Sequence, residues 1–367
     1  MPEVKVNDIA SGHRGQGSAA PMEGRGVYNA NSALQAQGGL LGLQLLEKAA
    51  AEIAPYDGSP AIVIADYGSS EGRNSLAPMR AAIRILRERF GPERPIVVTH
   101  TDLPANDFSS LFELVETSPE SYARDHDNVF PVAVGRSFFR RVLPSAHVDL
   151  GWSSYAAMWL SRIPCPNPGH VFARAARGAV GDAFARQGRE DWETFLTVRS
   201  QELRLGGRLI VVMPSLNESG LHPSAVLFDG ANDVLAEMAS QGAITREERD
   251  GMLIQSYPRT LDELLAPFGS AKRFSGLRVT HSSTIPVGDV AWAQYERDRD
   301  QAALAARRAM AFRATFAPSL ARGLARSADE AARMAFVDRL EAGVRERLAG
   351  RLEPEINFVA TLALEQS

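Results

Sequence analysis

Residues 62–75 read IVIADYGSSEGRNS, and this stretch decides the fold class that the sequence predicts. An apolar run ends in Asp66, Gly68 and Gly72 follow in a turn, and Asn74 stands where a helix can start. A buried strand, a glycine turn and a helix in this order are typical of open α/β sheets, which bind ligands beyond the carboxyl ends of their strands. The turn is compatible with three classes: a nucleotide-cofactor enzyme, a serine hydrolase and a methyltransferase.

Short β-rich runs recur on both sides of this turn, and helix-like segments separate the first few of them. The predicted strands cover residues 61–67, 95–101, 131–135, 147–152, 208–213, 277–281 and 356–364. Between the first two, residues 75–90 carry apolar side chains at helical spacing. Strands that alternate with helices predict a mostly parallel sheet covered on both faces. Gly206 and Gly207 are interpreted as the end of a helix before the fifth strand.

Three helix-rich segments are too long to be simple connections, and we interpret them as an added helical cap that binds the substrate. The predicted cap covers residues 153–205, 215–275 and 298–350. The predicted ligand-binding α/β core covers residues 21–152, and residues 206–214, 276–284 and 355–364 supply its remaining strands. Residues 1–20 end in a polar, glycine-rich stretch, which predicts a flexible segment.

Composition excludes several classes of protein. The chain has 367 residues, a net charge of −4 and no block rich in Lys and Arg, so we expect neither a nucleic-acid groove nor a membrane-surface site. Cys165 is the only cysteine, which excludes an intrachain disulfide. The 7 histidines are scattered and no two have i,i+4 spacing, so no metal is predicted. Without a long apolar run or a signal-peptide pattern, we expect a soluble cytoplasmic protein.

Two of the three interpretations of the turn are weak. A dinucleotide site needs G-x-G-x-x-G, whereas this loop carries Glu71, whose charge would oppose a diphosphate. The segment GSSEG does match the G-x-S-x-G of a nucleophile elbow, with Ser70 as the nucleophile. However, it follows the first predicted strand, and the downstream histidines His222 and His281 lack a distinguishing context. The serine hydrolase is kept as the alternative from a different class.

The methyltransferase interpretation explains more of the turn. Asp66 would end the first strand, and the glycines would let the backbone approach the methionine part of S-adenosylmethionine. Asp102 ends the next predicted strand, where a carboxylate can accept hydrogen bonds from both ribose hydroxyls. Two acids in consecutive strand–turn units favour a ligand over ordinary turn residues.

Four blocks, in order and with matching internal spacing, carry a resemblance to a known family. They are YNANSALQ at 28–35, DYGSSEGRN at 66–74, DLPANDF at 102–108 and SSYAAMWLSRIP at 153–164. Over about residues 22–364 the chain resembles the SABATH carboxyl methyltransferases, which include plant salicylate, benzoate and jasmonate methyltransferases. The resemblance implies a Rossmann-like class I methyltransferase sheet with a helical cap, S-adenosylmethionine as cofactor, S-adenosylhomocysteine as product, and a homodimer.

The resemblance also implies roles for individual residues. The implied cofactor site consists of Tyr28, Ser32, Asp66, Gly68, Ser69, Asn74, Asp102, Leu103, Ser137 and Phe138. Gln35 and Trp159 are the implied catalytic pair that positions the substrate carboxylate. Tyr28, Tyr155, Met158 and Phe228 are implied to line the substrate pocket. Ser69 replaces the usual Cys of the family, and Phe228 stands where many plant members carry Trp. Phe312 and Thr315 fit either a pocket wall or a helix core.

Methyl transfer to a carboxylate needs few protein side chains. A carboxylate with a pKa of about 4 is already ionised at neutral pH, so methyl transfer to it needs no general base. Gln35 and Trp159 would orient it as neutral donors. The sequence therefore predicts O-methylation of a small apolar carboxylic acid, aromatic or fatty, by in-line displacement. N-methylation of a small heterocycle stays the alternative within the family, and the sequence does not name the acid.

Overall fold

A seven-stranded sheet runs through the computed structural model, which describes residues 22–54, 60–216, 225–269, 274, 276–325 and 327–367. Its strands are β1 (Ile62–Tyr67), β2 (Ile96–Asp102), β3 (Val129–Gly135), β4 (Val148–Ser154), β5 (Leu203–Ser215), β6 (Leu277–Val287) and β7 (Asn357–Gln366). Each predicted strand is confirmed within a few residues of its predicted ends, except for the start of β5 and the end of β6, where the strands are longer than predicted. The segment 1–20, predicted to be flexible, and His222 lie outside the described residues.

The strand order is β3-β2-β1-β4-β5-β7-β6. Strands β1 to β5 are parallel, whereas β7 is antiparallel to both β5 and β6. The chain builds the sheet outward from β1 to β3 and then returns to place β4 on the other side of β1. Strand order therefore reverses between β1 and β4, and a crevice for a ligand opens beyond the carboxyl ends of strands at such a point.

Twelve helices surround the sheet in the described part of the chain. They are α1 (Val27–Asn31), α2 (Ala33–Leu40), α3 (Leu43–Glu52), α4 (Arg73–Phe90), α5 (Phe108–Thr117), α6 (Gly178–Glu202), α7 (Ala225–Ser240), α8 (Arg246–Gly251), α9 (Leu261–Leu265), α10 (Val290–Asp298), α11 (Gln301–Ala321) and α12 (Glu330–Leu348). Helices α3, α4 and α5 bury their apolar residues with one face of the sheet. Helix α6 packs on the opposite face through Trp192, Phe195 and Leu196.

A separate helical layer has a core of its own. Leu235 of α7, Phe312 of α11 and Leu340 of α12 are buried in one cluster that contains no strand residue. This cluster fits the predicted helical cap, and the exact boundaries between core and cap stay a prediction. The layer matters for function because α11 forms one wall of the larger cavity described below.

The interpretation of Gly206 and Gly207 as a helix end is wrong. Helix α6 already ends at Glu202, and β5 begins at the next residue. The two glycines serve an irregularity in β5, where the pairing with β4 shifts its register. Gly206 has a φ of +76°, and a Cβ on Gly207 would lie 2.8 Å from the carbonyl oxygen of Val148. Bulges and helix ends both select glycine, so the pair alone could not distinguish them.

Candidate active site

The turn after β1 lies at the point where strand order reverses, and its shape depends on glycine. Gly68 has a φ of +90°, and a Cβ there would lie 2.2 Å from the Cβ of Ala156. Ser70 adopts a φ of +49°, which is uncommon for a residue with a side chain. Its backbone N–H donates to Oδ2 of Asp102 at 2.8 Å, so the end of β2 holds the turn in place.

Asp102 is the charged group of the smaller of two cavities at this end of the sheet. Its Oδ1 accepts from the backbone N–H of Leu103 at 2.7 Å. Burial raises the pKa of Asp102 to about 6, although the hydrogen bonds from Ser70 and Leu103 act in the opposite direction. The cavity has a volume of about 70 Å³. Its lining includes the predicted residues Tyr28, Gly68, Asp102, Leu103, Ser137, Phe138, Tyr155 and Trp159.

Asp66 lies behind the turn and does not line this cavity. Its Oδ2 accepts from the hydroxyl of Ser75 at 2.6 Å and lies 2.9 Å from Nδ1 of His100. The other ring nitrogen of His100 lies 2.7 Å from the hydroxyl of Tyr122. Asp66 thus braces the start of α4 from within the core. Its predicted contact with the cofactor, and that of the buried Ser69, stay predictions.

Three predicted cofactor residues lie together next to the turn. Asn74 donates through Nδ2 to Ser32 Oγ at 3.1 Å. Burial, with a smaller contribution from the charge of Asp102, raises the pKa of the Tyr28 hydroxyl, although the amide of Asn74 acts to lower it. The Tyr28 hydroxyl therefore stays protonated at neutral pH. The structure brings the first and second sequence blocks together through this group.

Glu71, whose charge was expected to oppose a bound diphosphate, is bonded to the N-terminal segment. Its carboxylate accepts from the backbone N–H of Gly26 at 2.7 Å and of Asn29 at 3.2 Å. Glu23 forms an ion pair with Arg313 of α11 at 3.2 Å. The segment 22–31 therefore lies over the smaller cavity and is tied to the core on one side and to the helical layer on the other. Sequence reasoning missed this role because the partners of Glu71 are backbone groups, which no motif marks.

A larger cavity of about 370 Å³ adjoins the first, and Tyr155 lines both. The predicted substrate residues Gln35, Tyr155, Met158, Phe228, Phe312 and Thr315 line it. Phe312 and Thr315 belong both to a helix core and to a cavity wall. Both are buried in α11, and both also border the larger cavity. Sequence reasoning missed Leu34, Leu227, Ser256, Pro258 and Phe358, which also line it.

Gln35 is a polar group in the wall of the larger cavity. It is 8% exposed, and its Nε2 donates to the hydroxyl of Thr315 at 3.1 Å. Its Oε1 is buried and has no hydrogen-bond partner within the described part of the chain. A hydroxyl can donate as well as accept, so a half-turn of the amide would let Thr315 donate to Oε1. The amide N–H groups would then occupy the position that now lacks a partner.

A neighbouring chain segment holds the loop that carries Met158 and Trp159. The backbone N–H of Tyr257 donates to the carbonyl oxygen of Met158 at 2.8 Å. The buried guanidinium of Arg259 donates to the carbonyl oxygen of Ala157 at 3.0 Å. Burial lowers the pKa of Arg259 to about 10, so it remains charged at neutral pH. No sequence pattern marked this arginine, because its partners are carbonyl groups distant in the chain.

The predicted catalytic pair lies on either side of Tyr155. Gln35 lines the larger cavity and Trp159 the smaller one. Tyr155 itself has a φ of +56°, and burial raises the pKa of its hydroxyl. The convergence of Gln35 and Trp159 on one carboxylate stays a prediction. The three predicted residues at the junction of the two cavities, Gln35, Tyr155 and Trp159, are all neutral at pH 7.

The geometry does not support a serine hydrolase. The hydroxyl of Ser70 has no hydrogen-bond partner among the residues that the structure describes. His100 is buried between Asp66 and Tyr122, and His281 is exposed on β6. No histidine of the described ranges is therefore placed to activate Ser70, as a nucleophile elbow requires.

Two searches of the described residues concern other kinds of site. No group of three or more His, Cys, Asp or Glu side chains there could hold a metal ion. None of the helices in those ranges is both long and apolar enough to cross a membrane.

The fold is that of the class I methyltransferases that use S-adenosylmethionine. The chain belongs to the SAM dependent carboxyl methyltransferase family, whose model matches residues 18–365. S-adenosylmethionine is therefore its cofactor. The resemblance that the four sequence blocks carry is confirmed, and so is the fold class.

Relatives of the chain include the following proteins. Methyltransferase FUS9 of Gibberella fujikuroi is 30% identical over 246 residues, which cover 66% of each chain. Gibberellic acid methyltransferase 1 of Arabidopsis thaliana is 27% identical over 253 residues, 62% of this chain and 65% of the relative. The chain thus matches slightly less than two thirds of the length of these relatives. The solved structure of loganic acid methyltransferase with SAH has a TM-score of 0.75 over 95% of this chain and 99% of its own, at 19% identity, which shows the shared fold.

Proposed function

We propose that the protein transfers the methyl group of S-adenosylmethionine to the carboxylate of a small apolar acid, aromatic or fatty, without a general base. One observation carries the proposal. The smaller cavity, which Asp102 and Trp159 line, meets a larger and mostly apolar cavity, which Gln35 lines, at Tyr155. In the proposal, Asp102 binds the ribose, and Gln35 and Trp159 act as neutral donors to the carboxylate. S-adenosylmethionine, when bound, supplies the methyl group as an electrophilic sulfonium.

The residues of the smaller cavity suit this cofactor. The carboxylate of Asp102 can accept from ribose hydroxyls, and Phe138 can pack against an adenine ring. Its volume of about 70 Å³, however, is small beside the ~300–1,000 Å³ of typical sites for molecules of this size. Met22 and Tyr28 of the N-terminal segment line it. We therefore infer that the segment 22–31 moves outward when the cofactor enters.

The protonation states of the two tyrosines at the junction agree with a reaction that needs no general base. Burial raises the pKa of both Tyr28 and Tyr155, so each hydroxyl is a proton donor and not a base near pH 7. A carboxylate substrate is ionised already. Neutral donors such as Gln35 orient it without the strong pairing that an arginine would form. Weak pairing favours catalysis because the negative charge of the carboxylate decreases toward the transition state.

The chain then contributes positioning and exclusion of water. Apolar side chains of the helical layer, among them Phe228 and Phe312, surround the larger cavity. Holding two reactants in line can lower a barrier by roughly 7–11 kcal/mol in favourable cases. A homodimer and a cytoplasmic location are parts of the same proposal, and light scattering of the purified protein tests the first.

The experiment is a transfer assay with methyl-labelled S-adenosylmethionine. A panel of aromatic and fatty acids is tested, each beside its primary amide and its alcohol, together with small nitrogen heterocycles. The proposal predicts label in a base-labile ester, and only with the acids. Base-stable label on a nitrogen heterocycle instead would replace the proposal by N-methylation. No transfer to any acid, with the cofactor bound, would refute it.

A further inference from the structure

Helix α11 runs along the larger cavity, so the spacing of its residues measures the length of the cavity. Its residues Arg307, Arg308, Ala311, Phe312, Thr315 and Phe316 all line the cavity, at the spacing of one helix face. At 1.5 Å per residue, Arg307 lies about 12 Å along the axis from Thr315. Thr315 contacts Gln35, and Gln35 orients the substrate carboxylate in the proposed function. This end of the cavity therefore receives the carboxylate. The cavity therefore extends about two helical turns beyond the reacting group.

The character of the wall changes along this length. Near Gln35 it is apolar, with Met158, Phe228 and Phe316. The rings of Phe228 and Phe316 lie 5.2 Å apart in an edge-to-face arrangement. The far end is polar and is lined by Asp289, Arg297, Arg307, Arg308, Glu355 and Asn357. A purely apolar acid of this length would place its end against charged groups and leave them without water.

The charges at the far end are close to balance. Arg308 and Asp289 form a buried ion pair, and Arg308 also donates to the carbonyl oxygen of Glu353 at 2.8 Å. Arg307 is more accessible, with its side chain 37% exposed, and its Nη2 donates to Asp298 at 2.7 Å. Its Nη1 is itself buried and has no hydrogen-bond partner within the described ranges. The end thus offers donors and acceptors without a large excess of either charge.

We propose that the natural substrate is an elongated acid whose far end carries an uncharged hydroxyl group that hydrogen-bonds at Arg307, which lies about 12 Å from Thr315 along the axis of α11. This inference rests on the proposed carboxyl methylation. A hydroxyl both accepts and donates, as the mixed end requires. A second carboxylate fits less well, because Asp289, Asp298 and Glu355 lie on or next to the same wall. The cavity of about 370 Å³ also lies within the ~300–1,000 Å³ range of sites for drug-sized ligands.

The experiment compares three straight-chain acids of each length, with a terminal methyl, hydroxyl or carboxyl group, in the transfer assay with the purified full chain. At the matching length we expect a KM about tenfold lower for the hydroxy acid than for the methyl-terminated acid. The kcat values should be similar, since a contact far from the reacting atoms contributes equally to ground and transition states. Arg307→Leu should remove this preference, and Arg307→Lys should retain part of it.

Arg345→Leu serves as the matched control, because Arg345 is an exposed arginine of α12 in an ion pair with Glu341. The preference is a ratio measured on one enzyme preparation, so partial misfolding of a variant does not alter it. Equal KM values for the methyl and hydroxy acids at every length would overturn the inference. So would a lowest KM for the dicarboxylate, or a preference that survives Arg307→Leu. Absence of ester with all three acids at every length would also overturn the inference, and it would refute the proposed function itself only if the aromatic acids of the first panel gave no ester either.

Discussion

Asp102 should make cofactor binding depend on pH in a range where most carboxylates do not titrate. Burial raises its pKa to about 6 in the protein without ligand. Ribose hydroxyls need the ionised carboxylate as acceptor, so the competent fraction at pH 5 is roughly one tenth. Apparent affinity scales with that fraction, and the Kd for S-adenosylhomocysteine should be about tenfold higher at pH 5 than at pH 8. Isothermal titration calorimetry across this range measures it.

Ionisation of Asp102 has opposite effects on cofactor binding, which it favours, and on the stability of the fold, which it reduces. Because the pKa of Asp102 is raised above its unfolded value, the ionised side chain reduces stability at neutral pH. That cost diminishes as the pH falls through 6 toward the unfolded pKa of about 3.9. Weaker binding at pH 5 is therefore not a consequence of this group unfolding the protein, and circular dichroism at each pH checks that the fold persists.

Two variants separate the role of Asp102 from general effects of pH. Asp102→Asn should bind S-adenosylhomocysteine roughly 10- to 100-fold more weakly at pH 8, since it loses a charged acceptor, and its Kd should vary little with pH. Asp107→Asn is the control, because Asp107 caps α5 through the backbone N–H of Ser110 and Asn caps equally well. A wild-type Kd that stays constant from pH 5 to 8, or a pH dependence that persists in Asp102→Asn, would refute the reasoning.

Three further predictions concern the walls of the site. Thr315→Val should lower kcat about tenfold and Thr315→Ser should restore it, with S-adenosylhomocysteine affinity unchanged, because the hydroxyl orients the Gln35 amide. Glu71→Ala should speed hydrogen exchange of the α1 backbone amides by about tenfold or more, measured by mass spectrometry, since two N–H groups lose their acceptor. Gly38→Ala should destabilise the fold by ~1–3 kcal/mol in urea, because its Cβ would lie 2.0 Å from the Tyr155 hydroxyl oxygen.

Each of these has its contrary outcome. Equal turnover of Thr315→Val and wild type would mean that Gln35 is oriented by other contacts. Unchanged exchange of the α1 amides in Glu71→Ala would show that the segment 22–31 is held without the carboxylate. Gly39→Ala is the control for Gly38, because its Cβ would lie 3.1 Å from Ser154 Oγ, a contact that a small shift relieves. Similar stability of the two alanine variants would contradict the predicted clash.

The sheet could be predicted well because its strands are buried on both faces. Residues of β1 are at most 5% exposed, so the run of apolar side chains is continuous and bounded by turns. Helix α4 was equally clear, since its apolar residues repeat at helical spacing against the sheet. The antiparallel placement of β6 and β7 did not follow from the residues, because strand direction leaves no mark in a short apolar run.

The site could be predicted only where a motif names side chains. Asp102 was predicted from the end of its strand, and Tyr28 and Asn74 from the family resemblance. The structure places Tyr28 and Asp102 in the lining of the smaller cavity. Glu71 and Arg259 were missed or misinterpreted because their partners are backbone atoms far away in the chain. The polar far end of the larger cavity was missed for a similar reason, since α10, α11 and the segment before β7 meet only in three dimensions.

The most direct test of the account is the fate of the substrate carboxylate. The enzyme is incubated with S-adenosylmethionine carrying a deuterated methyl group and an acid labelled with ¹⁸O in both carboxyl oxygens, and the products are resolved by mass spectrometry. The account predicts a methyl ester that holds the deuterated methyl group and both ¹⁸O atoms, with one S-adenosylhomocysteine formed per ester. Loss of ¹⁸O, a base-stable methylated product, or S-adenosylhomocysteine without ester would contradict it.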